Sequence, residues 1–214
     1  MTKPHTPPHI HLFDKAECPF CWKVRIALNL KGLAFTETVV DTDNKPESLL
    51  KLSPEGKVPV LVSGNTVVAD SPRIMEWLEA EATQPPLCVD PDAREVEQYS
   101  DKVIGPAIRD HIFMIRKAQG SATDMAVTTR CQNAWHECLE YLEGICIADP
   151  WFLGACPTVA DCALAARFAL ANHYGLTGLG QRPRLQTWYS HVGQAAAFLQ
   201  STPAHIRART PRTN

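Results

Sequence analysis

The sequence predicts an α/β domain, built as strand, helix, strand, helix, β-hairpin and closing helix, followed by an all-α domain. Three observations predict it. A short strand over residues 9–13 runs through a polar loop into Cys18-Pro19-Phe20-Cys21 and then into helical spacing. Two β-rich runs, 58–62 and 66–69, are separated by Ser63-Gly64-Asn65, which makes a hairpin the economical reading. Beyond Pro91 no convincing alternating strand follows, and helical periods take over. The expected division is an α/β unit over 1–82, a linker over 83–92, a helical unit over 93–203 and a mobile basic tail over 204–214.

The elements follow in order. After the CPFC tetrapeptide, Val24, Ala27, Leu28 and Lys31 keep helical spacing, with Lys23 and Arg25 between them, until Gly32 supplies a stop. Residues 35–40 read as a second strand and 46–52 as a short helix. Ser71 is a good N-cap, with Pro72 at the first helical position where its missing N–H is harmless, and Ile74, Trp77 and Leu78 form a buried stripe. Gln84-Pro85-Pro86 and Asp90-Pro91 then break the pattern.

In the second unit, Val96, Tyr99, Val103, Ile108, Ile112 and Ile115 predict one long helix kinked at Pro106. Met125, Cys131, Ala134, Cys138 and Leu142 predict another, ended by Asp149-Pro150. Residues 158–171 are almost wholly apolar, as befits a central helix, and Leu185, Trp188, Val192 and Leu199 mark a last one after Pro183.

Composition excludes several function classes. The 214 residues are 45% hydrophobic and 21% charged, an ordinary globular balance. With 21 basic against 23 acidic side chains there is no general electrostatic case for nucleic acid or an anionic membrane. No run approaches the ~18 apolar residues of a membrane span, and the best candidate, 163–171, is short and carries Arg167. Eight cysteines would suggest disulfides in a secreted chain, but the opening MTKPHTPPHIHL lacks an apolar signal core. A reducing, cytoplasmic setting is therefore expected.

Cys18 stands where a strand gives way to a helix, and there unpaired N–H groups and the helix dipole stabilise a thiolate. Cys21, one turn on, is placed either to attack a mixed disulfide at Cys18 or to serve as a small buried residue. Zinc is disfavoured, because Cys88, Cys131, Cys138, Cys146, Cys156 and Cys162 offer no second C-x-x-C. No metal is expected.

In Lys57-Val58-Pro59-Val60, a proline opening a strand leaves adjacent backbone free to pair with an extended ligand, and a cis bond at Pro59 would suit a tight turn. At Asp70-Ser71 the helix start offers N–H groups to a carboxylate, and Asp70 could take an ammonium. His111 is read as a packed or solvent-facing residue, and Trp188 and Tyr189 as core aromatics, rather than as catalytic ones.

Together these motifs resemble the glutathione transferase superfamily over nearly the whole chain: CPFC at the first helix, then KVPVL, then DSPRIMEWL, and in the second unit WFLGACPTVADCALA. The resemblance implies a thioredoxin-like glutathione-binding domain followed by a helical domain, with glutathione as co-substrate and a homodimeric assembly. It implies Cys18 as the catalytic thiol, as in the omega and dehydroascorbate reductase classes. Glutathione would be held by Phe20, Lys45, Val58, Pro59, Asp70 and Ser71, and Thr158 and Asp161 would form the family's capping box. Asp70 departs from the family's usual Glu, and Cys21 from the usual non-cysteine of the omega class.

A cysteine thiolate can attack sulfur itself, so the resemblance points to glutathione-dependent thiol transfer or reduction. Conjugation or reductive dehalogenation of hydrophobic electrophiles is the alternative enzyme reading, and non-catalytic ligand binding or redox sensing the alternative outside enzymes. The second substrate is expected between the two units, under the helix carrying Ile108, Arg109, His111, Ile112 and Ile115.

Overall fold

The computed structural model describes residues 9–82, 86–87, 91–118 and 123–207. The α/β unit comprises β1 (Ile10–Asp14), α1 (Pro19–Leu30), β2 (Phe35–Val39), α2 (Glu47–Leu52), β3 (Val60–Ser63), β4 (Thr66–Ala69) and α3 (Ser71–Glu81). The sheet order is β2-β1-β3-β4. β1 runs parallel to β2, with Ile10 opposite Phe35, and antiparallel to β3, with Ile10 opposite Ser63.

Strand side chains alternate between faces, and the cores follow that period of two. Ile10, Leu12 and Leu61 join α1 and α3 in the main core, whereas Phe13 and Val60 pack with Leu49 of α2 on the opposite face. The expected strand over 58–62 starts only at Val60, because Pro59 has no N–H to enter a ladder.

The helical unit comprises α4 (Pro91–Tyr99), a π-helical turn (Ser100–Ile104), α5 (Gly105–Ala118), α6 (Met125–Ile145), α7 (Val159–His173), a 3-10 turn (Leu179–Gln181), α8 (Pro183–Gln194), α9 (Ala196–Ser201) and α10 (Ala204–Arg207). α7 is buried from Val159 through Ala171 and packs against α1, which also meets α9, where Trp22 stacks on Phe198 with ring centroids 6.2 Å apart. α1 is thus central to the molecule, and Lys23 and Arg25 are buried along with its apolar residues.

Thr158 is the N-cap of α7. Asp161 closes a capping box and ties three segments together: its carboxylate accepts from Thr158 N (2.8 Å), Thr158 Oγ1 (2.9 Å), Phe152 N (2.8 Å) and Trp188 Nε1 (2.8 Å).

Several expectations need correction. Ser71 is not the N-cap of α3. Asp70 holds that position, with φ 80° and no capping side-chain bond, and Ser71 is the first helical residue. In the buried stripe of α3, Met75 joins Ile74 and Leu78, while Trp77 is only half-buried.

The long helix expected across Pro106 runs unbroken over 91–118 as α4, the π turn and α5, with the disturbance placed in the π turn. Proline lacks an N–H and its ring crowds the carbonyl one turn back, and the wider π turn immediately before Pro106 accommodates both. α6 stops at Ile145, short of Asp149-Pro150, because the following donors turn back on their own loop: Ile147 N bonds Phe152 O (2.9 Å) and Trp151 N bonds Gly154 O (2.9 Å).

The helix after Pro183 divides at Ala195, which is extended at ψ 129° and redirects α9 so that Phe198 reaches Trp22. Residues 204–207, at the start of the expected tail, form α10 with Ile206 buried. Residues 1–8, 208–214 and the linker residues 83–85 and 88–90, Cys88 among them, lie outside the described residues.

Candidate active site

The loop between β1 and α1 is fixed from beneath. Arg25 on α1 donates from Nη1 to both carboxylate oxygens of Asp14 (2.5 and 2.6 Å) and from Nη2 to Ala16 O (2.7 Å), and Cys18 N closes the turn on Lys15 O (2.9 Å). The pair is buried, and breaking such a pair costs about 3–5 kcal/mol. The position of Cys18 is therefore set by a rigid support rather than by the loop alone.

Cys18 is the N-cap residue of α1 with Pro19 behind it. Its sulfur accepts no fully formed capping hydrogen bond. The Cys21 thiol, followed by the N–H groups of Cys21 and Phe20, nevertheless draws its pKa down to about 7, against the opposing effects of burial and the Asp14 carboxylate. Cys21 is fully buried, and burial together with the facing Cys18 sulfur drives its pKa strongly upward. Cys21 thus remains a neutral S–H donor toward Cys18. Burial also pushes the thiols of Cys138, Cys146 and Cys162 up, Cys146 to about 12, whereas Cys156 is exposed.

A pH profile follows from the shift. Alkylation of Cys18 by iodoacetamide is expected to rise through pH 7 and level off above it, whereas an ordinary free thiol titrates near a pKa of about 8.5. A profile resolved at Cys18 by peptide mapping, with its midpoint at the ordinary value, removes the activated-thiol reading. Since the folded pKa lies below the unfolded one, the associated stability is complete above the unfolded thiol's pKa and is lost as pH falls through about 7.

The other expected site residues fall into groups. Phe20 stands beside Cys18, its ring 5.1 Å from the Arg167 guanidinium carbon and 5.6 Å from Lys23 Nζ. Val58 and Pro59 are joined by a cis peptide bond, and Pro59 O accepts from Asp70 N (3.3 Å), which brings the start of β3 to the start of α3. At that junction Ser71 Oγ is buried and has no hydrogen-bond partner among the described residues. Lys45 donates to Glu55 O (3.0 Å) and lies across Gly56, where a Cβ would come within 2.3 Å of Lys45 Cδ.

A cavity of about 350 Å³ opens beside Cys18, between the start of α1 and helices α5 and α7. Its apolar wall includes Phe20, Ile108, Ile112, Phe113 and Leu170. Of the five positions expected there, Ile108, Arg109 and Ile112 line it, and His111 and Ile115 do not. His111 is buried with Nε2 2.9 Å from Tyr174 O.

Four cations and two carboxylates also reach the cavity: Lys15, Arg109, Arg116 and Arg167, with Glu17 and Asp101. Arg116 is engaged by Glu17 and by Tyr174 Oη (2.9 Å), and Glu17 further accepts from Tyr174 Oη (2.6 Å) and faces His205 Nε2 (2.7 Å). Sequence reasoning assigned no role to Arg167, Arg116 or Glu17. A lone arginine inside the nearly apolar run of α7 was the one available signal. Glu17 and Arg116 lie far apart in the sequence, and only the fold brings them together.

The fold and this site define a class, a thioredoxin-like domain with a cysteine at its first helix and a helical domain closing over it, and sequence comparison agrees. The N-terminal domain of glutathione S-transferases matches residues 17–81 and the C-terminal domain matches residues 125–191. The chain belongs to the glutathione S-transferase superfamily.

Among individual proteins, the chloroplastic glutathione S-transferase DHAR3 of Arabidopsis thaliana is 42% identical over 80 residues, 37% of this chain and 31% of that one. The match thus spans about a third of that relative. The FtsZ-localized protein A of Caulobacter vibrioides is 28% identical over 84% of this chain and 85% of its own. A glutathione S-transferase structure from Rhodospirillum rubrum superposes with a TM-score of 0.81 at 25% identity, covering 95% of this chain and 96% of its own. Among the described residues no helix is long and apolar enough to cross a membrane, and no group of three metal-ligating side chains converges.

Proposed function

We propose that the protein is a glutathione-dependent thiol transferase or reductase of the cysteine type, similar to the omega and dehydroascorbate reductase classes, with Cys18 as nucleophile. The observation that carries this reading is the placement of Cys18: a thiol drawn down to about 7 at a helix start, opening onto a cavity. At neutral pH about half of such a thiol is ionised. The 42% identity to the DHAR3 transferase supports the subclass, since the matching segment is of the length of the α/β unit.

In the proposed cycle the Cys18 thiolate attacks the glutathionyl sulfur of a mixed disulfide. The S–S bond breaks, the substrate leaves as a thiolate that takes up a proton, and glutathione stays bonded to Cys18. The thiolate of a second glutathione then attacks that sulfur, releasing glutathione disulfide and restoring Cys18. Cys21, neutral and buried, assists as a donor to the Cys18 sulfur, which favours the monothiol route over one in which Cys21 resolves.

The binding roles rest on chemistry already in place. The unpartnered Ser71 Oγ and the free N–H groups of the α3 start suit the γ-glutamyl carboxylate. Asp70 would meet the ammonium, and the backbone of Val58 before Pro59 the cysteinyl amide. Lys45 would meet the glycyl carboxylate, and Phe20 would line the site. A homodimer in the cytoplasm belongs to the same proposal. The apolar wall of the cavity favours one further reading, conjugation of hydrophobic electrophiles to glutathione, with Cys18 stabilising the reacting thiolate.

Exposure to oxidised glutathione followed by peptide mass spectrometry tests the route. One glutathione adduct confined to Cys18 is expected. An internal Cys18–Cys21 disulfide would replace the monothiol route by a dithiol one, and adducts scattered over several cysteines would refute both.

A further inference from the structure

The charge placed around the cavity specifies more of the second substrate than its apolar wall does. Arg167 lines the cavity from α7, is 7% exposed, and carries a Nε with no hydrogen-bond partner among the described residues. Among the described residues its ion-pair contact, Asp101 Oδ1, stands at 3.6 Å, longer than a well-formed hydrogen bond. Asp101 is itself engaged by Lys23 Nζ at 2.7 Å, and Lys23 also bonds Glu97 Oε1 at 2.8 Å.

Glu97 is shared in turn with Arg94, which reaches out to the exposed Glu76. In this row, which runs from buried Lys23 and Glu97 to half-buried Asp101, the carboxylates are thus divided among neighbouring cations, and Arg167 receives the least. Arg167 is also held in place: its guanidinium lies over the Phe20 ring and against Gly105, where a Cβ would meet Nη2 at 2.8 Å. A glycine there lets the arginine pass.

A buried guanidinium with unused donors is costly unless something pairs with it, and its planar fork fits a carboxylate. Arg109 at the cavity wall adds a second, more exposed cation, 3.7 Å from Asp110. Glu17 is already occupied by Arg116, Tyr174 and His205, so it adds no uncompensated negative charge to the wall.

We infer that the second substrate is a carboxylate carried on an apolar or aromatic body, and that Arg167 is the specificity-determining residue that receives the carboxylate while Cys18 meets the reactive sulfur. The inference rests on the proposed thiol chemistry of Cys18. Because Val58, Pro59, Asp70, Ser71 and Lys45 lie outside the cavity lining, this anion position is separate from the one proposed for glutathione's own carboxylates.

Two aromatic disulfides of similar shape and opposite character test it, dithiobis(nitrobenzoate), which carries carboxylates, and dithiodipyridine, which is neutral. Each is attacked at sulfur by the Cys18 thiolate and releases an aryl thiolate, with no other reactant needed. In protein with Cys88 and Cys156 replaced by serine, Arg167→Gln is expected to slow the carboxylate probe roughly tenfold more than the neutral one, the effect of one hydrogen bond between charged groups, while any loss common to both probes reports the Arg167 charge that faces the Cys18 sulfur. Arg167→Lys keeps the charge without the fork and should show a smaller loss of the difference between the two probes. Equal losses with both probes, or no loss with either, overturn the inference.

Calorimetry on Cys18→Ser protein supplies a readout free of thiol chemistry. Naphthoate should bind more tightly than naphthamide, and Arg167→Gln should erase the difference. No preference for naphthoate refutes the anion position. Failure of Cys18 to react with either disulfide strikes the thiol-transfer reading, and the calorimetric comparison still decides the anion position.

Discussion

Cys18→Ala protein is expected to fold and to bind glutathione, yet to reduce a glutathione mixed disulfide no faster than glutathione does alone in solution. The side chain is small and half-buried, and its backbone N–H retains the bond to Lys15 O, so truncation leaves the support built by Arg25 and Asp14 intact. What disappears is the one described thiol that is both drawn down in pKa and open to the cavity. No neighbour can substitute. Cys21 is fully buried with its pKa raised, and Cys138, Cys146 and Cys162 are buried thiols pushed in the same direction.

The reaction is read as release of thiol from a glutathionylated peptide, and full retained activity would sink the mechanism. Two substitutions at Cys21 sharpen the result. Cys21→Ser keeps a donor toward the Cys18 sulfur and should keep most activity at neutral pH, whereas Cys21→Ala removes the donor and should move the activity profile to higher pH. Loss of activity in the serine variant would mark Cys21 as a resolving thiol.

Much of this site was legible because it depends on local chemistry. A cysteine before a proline at a strand-to-helix junction needs nothing distant to become activated, and Lys57-Val58-Pro59 carries its backbone geometry in its own residue types. What periodicity could not convey is how many sides of a helix are covered. Lys23 and Arg25 interrupt the apolar spacing of α1 as solvent-facing residues would, and both are buried because α1 is covered by the sheet, α3, α7 and α9 together.

The same limit hid Arg167. Its role depends on Gly105, Asp101 and Phe20, which reach it from other elements of the chain. Ser71 shows a subtler displacement. The residue type of an N-cap sits one place into the helix, with Asp70 at positive φ taking the cap, and the hydroxyl is left without a bond beside the proposed glutathione site. The π turn is the converse case. Pro106 announced a disturbance correctly, and the backbone resolved it in the preceding turn.

The largest stability effect is expected at Asp161, which the chemistry of the reaction never touches. Its carboxylate is 2% exposed and accepts four hydrogen bonds, from Phe152 N, Thr158 N, Thr158 Oγ1 and Trp188 Nε1. Burial raises its pKa, and those four donors act in the opposite direction. Asp161→Ala would leave the donors facing a dry interior at about 1–3 kcal/mol each. The Thr158 hydroxyl can turn to another acceptor, and neighbouring losses do not add fully, so a net loss of about 4 kcal/mol is expected. That is a large share of the 5–15 kcal/mol typical of a folded domain.

Thr158→Ala, which removes only the cap hydroxyl, should cost about 1 kcal/mol. Urea unfolding followed by tryptophan fluorescence measures both, since Trp188 packs edge-on against Phe152 and Phe168 at 5.5 and 5.1 Å and loses its Nε1 partner in the aspartate variant. A cost for Asp161→Ala no greater than that for Thr158→Ala would show that the four bonds do not act as one tie. If they do, the consequence reaches the site. α7 begins at this knot and carries Arg167 and Leu170 to the cavity wall, so loosening its first turn should weaken selection between anionic and neutral probes before the reactivity of Cys18 changes.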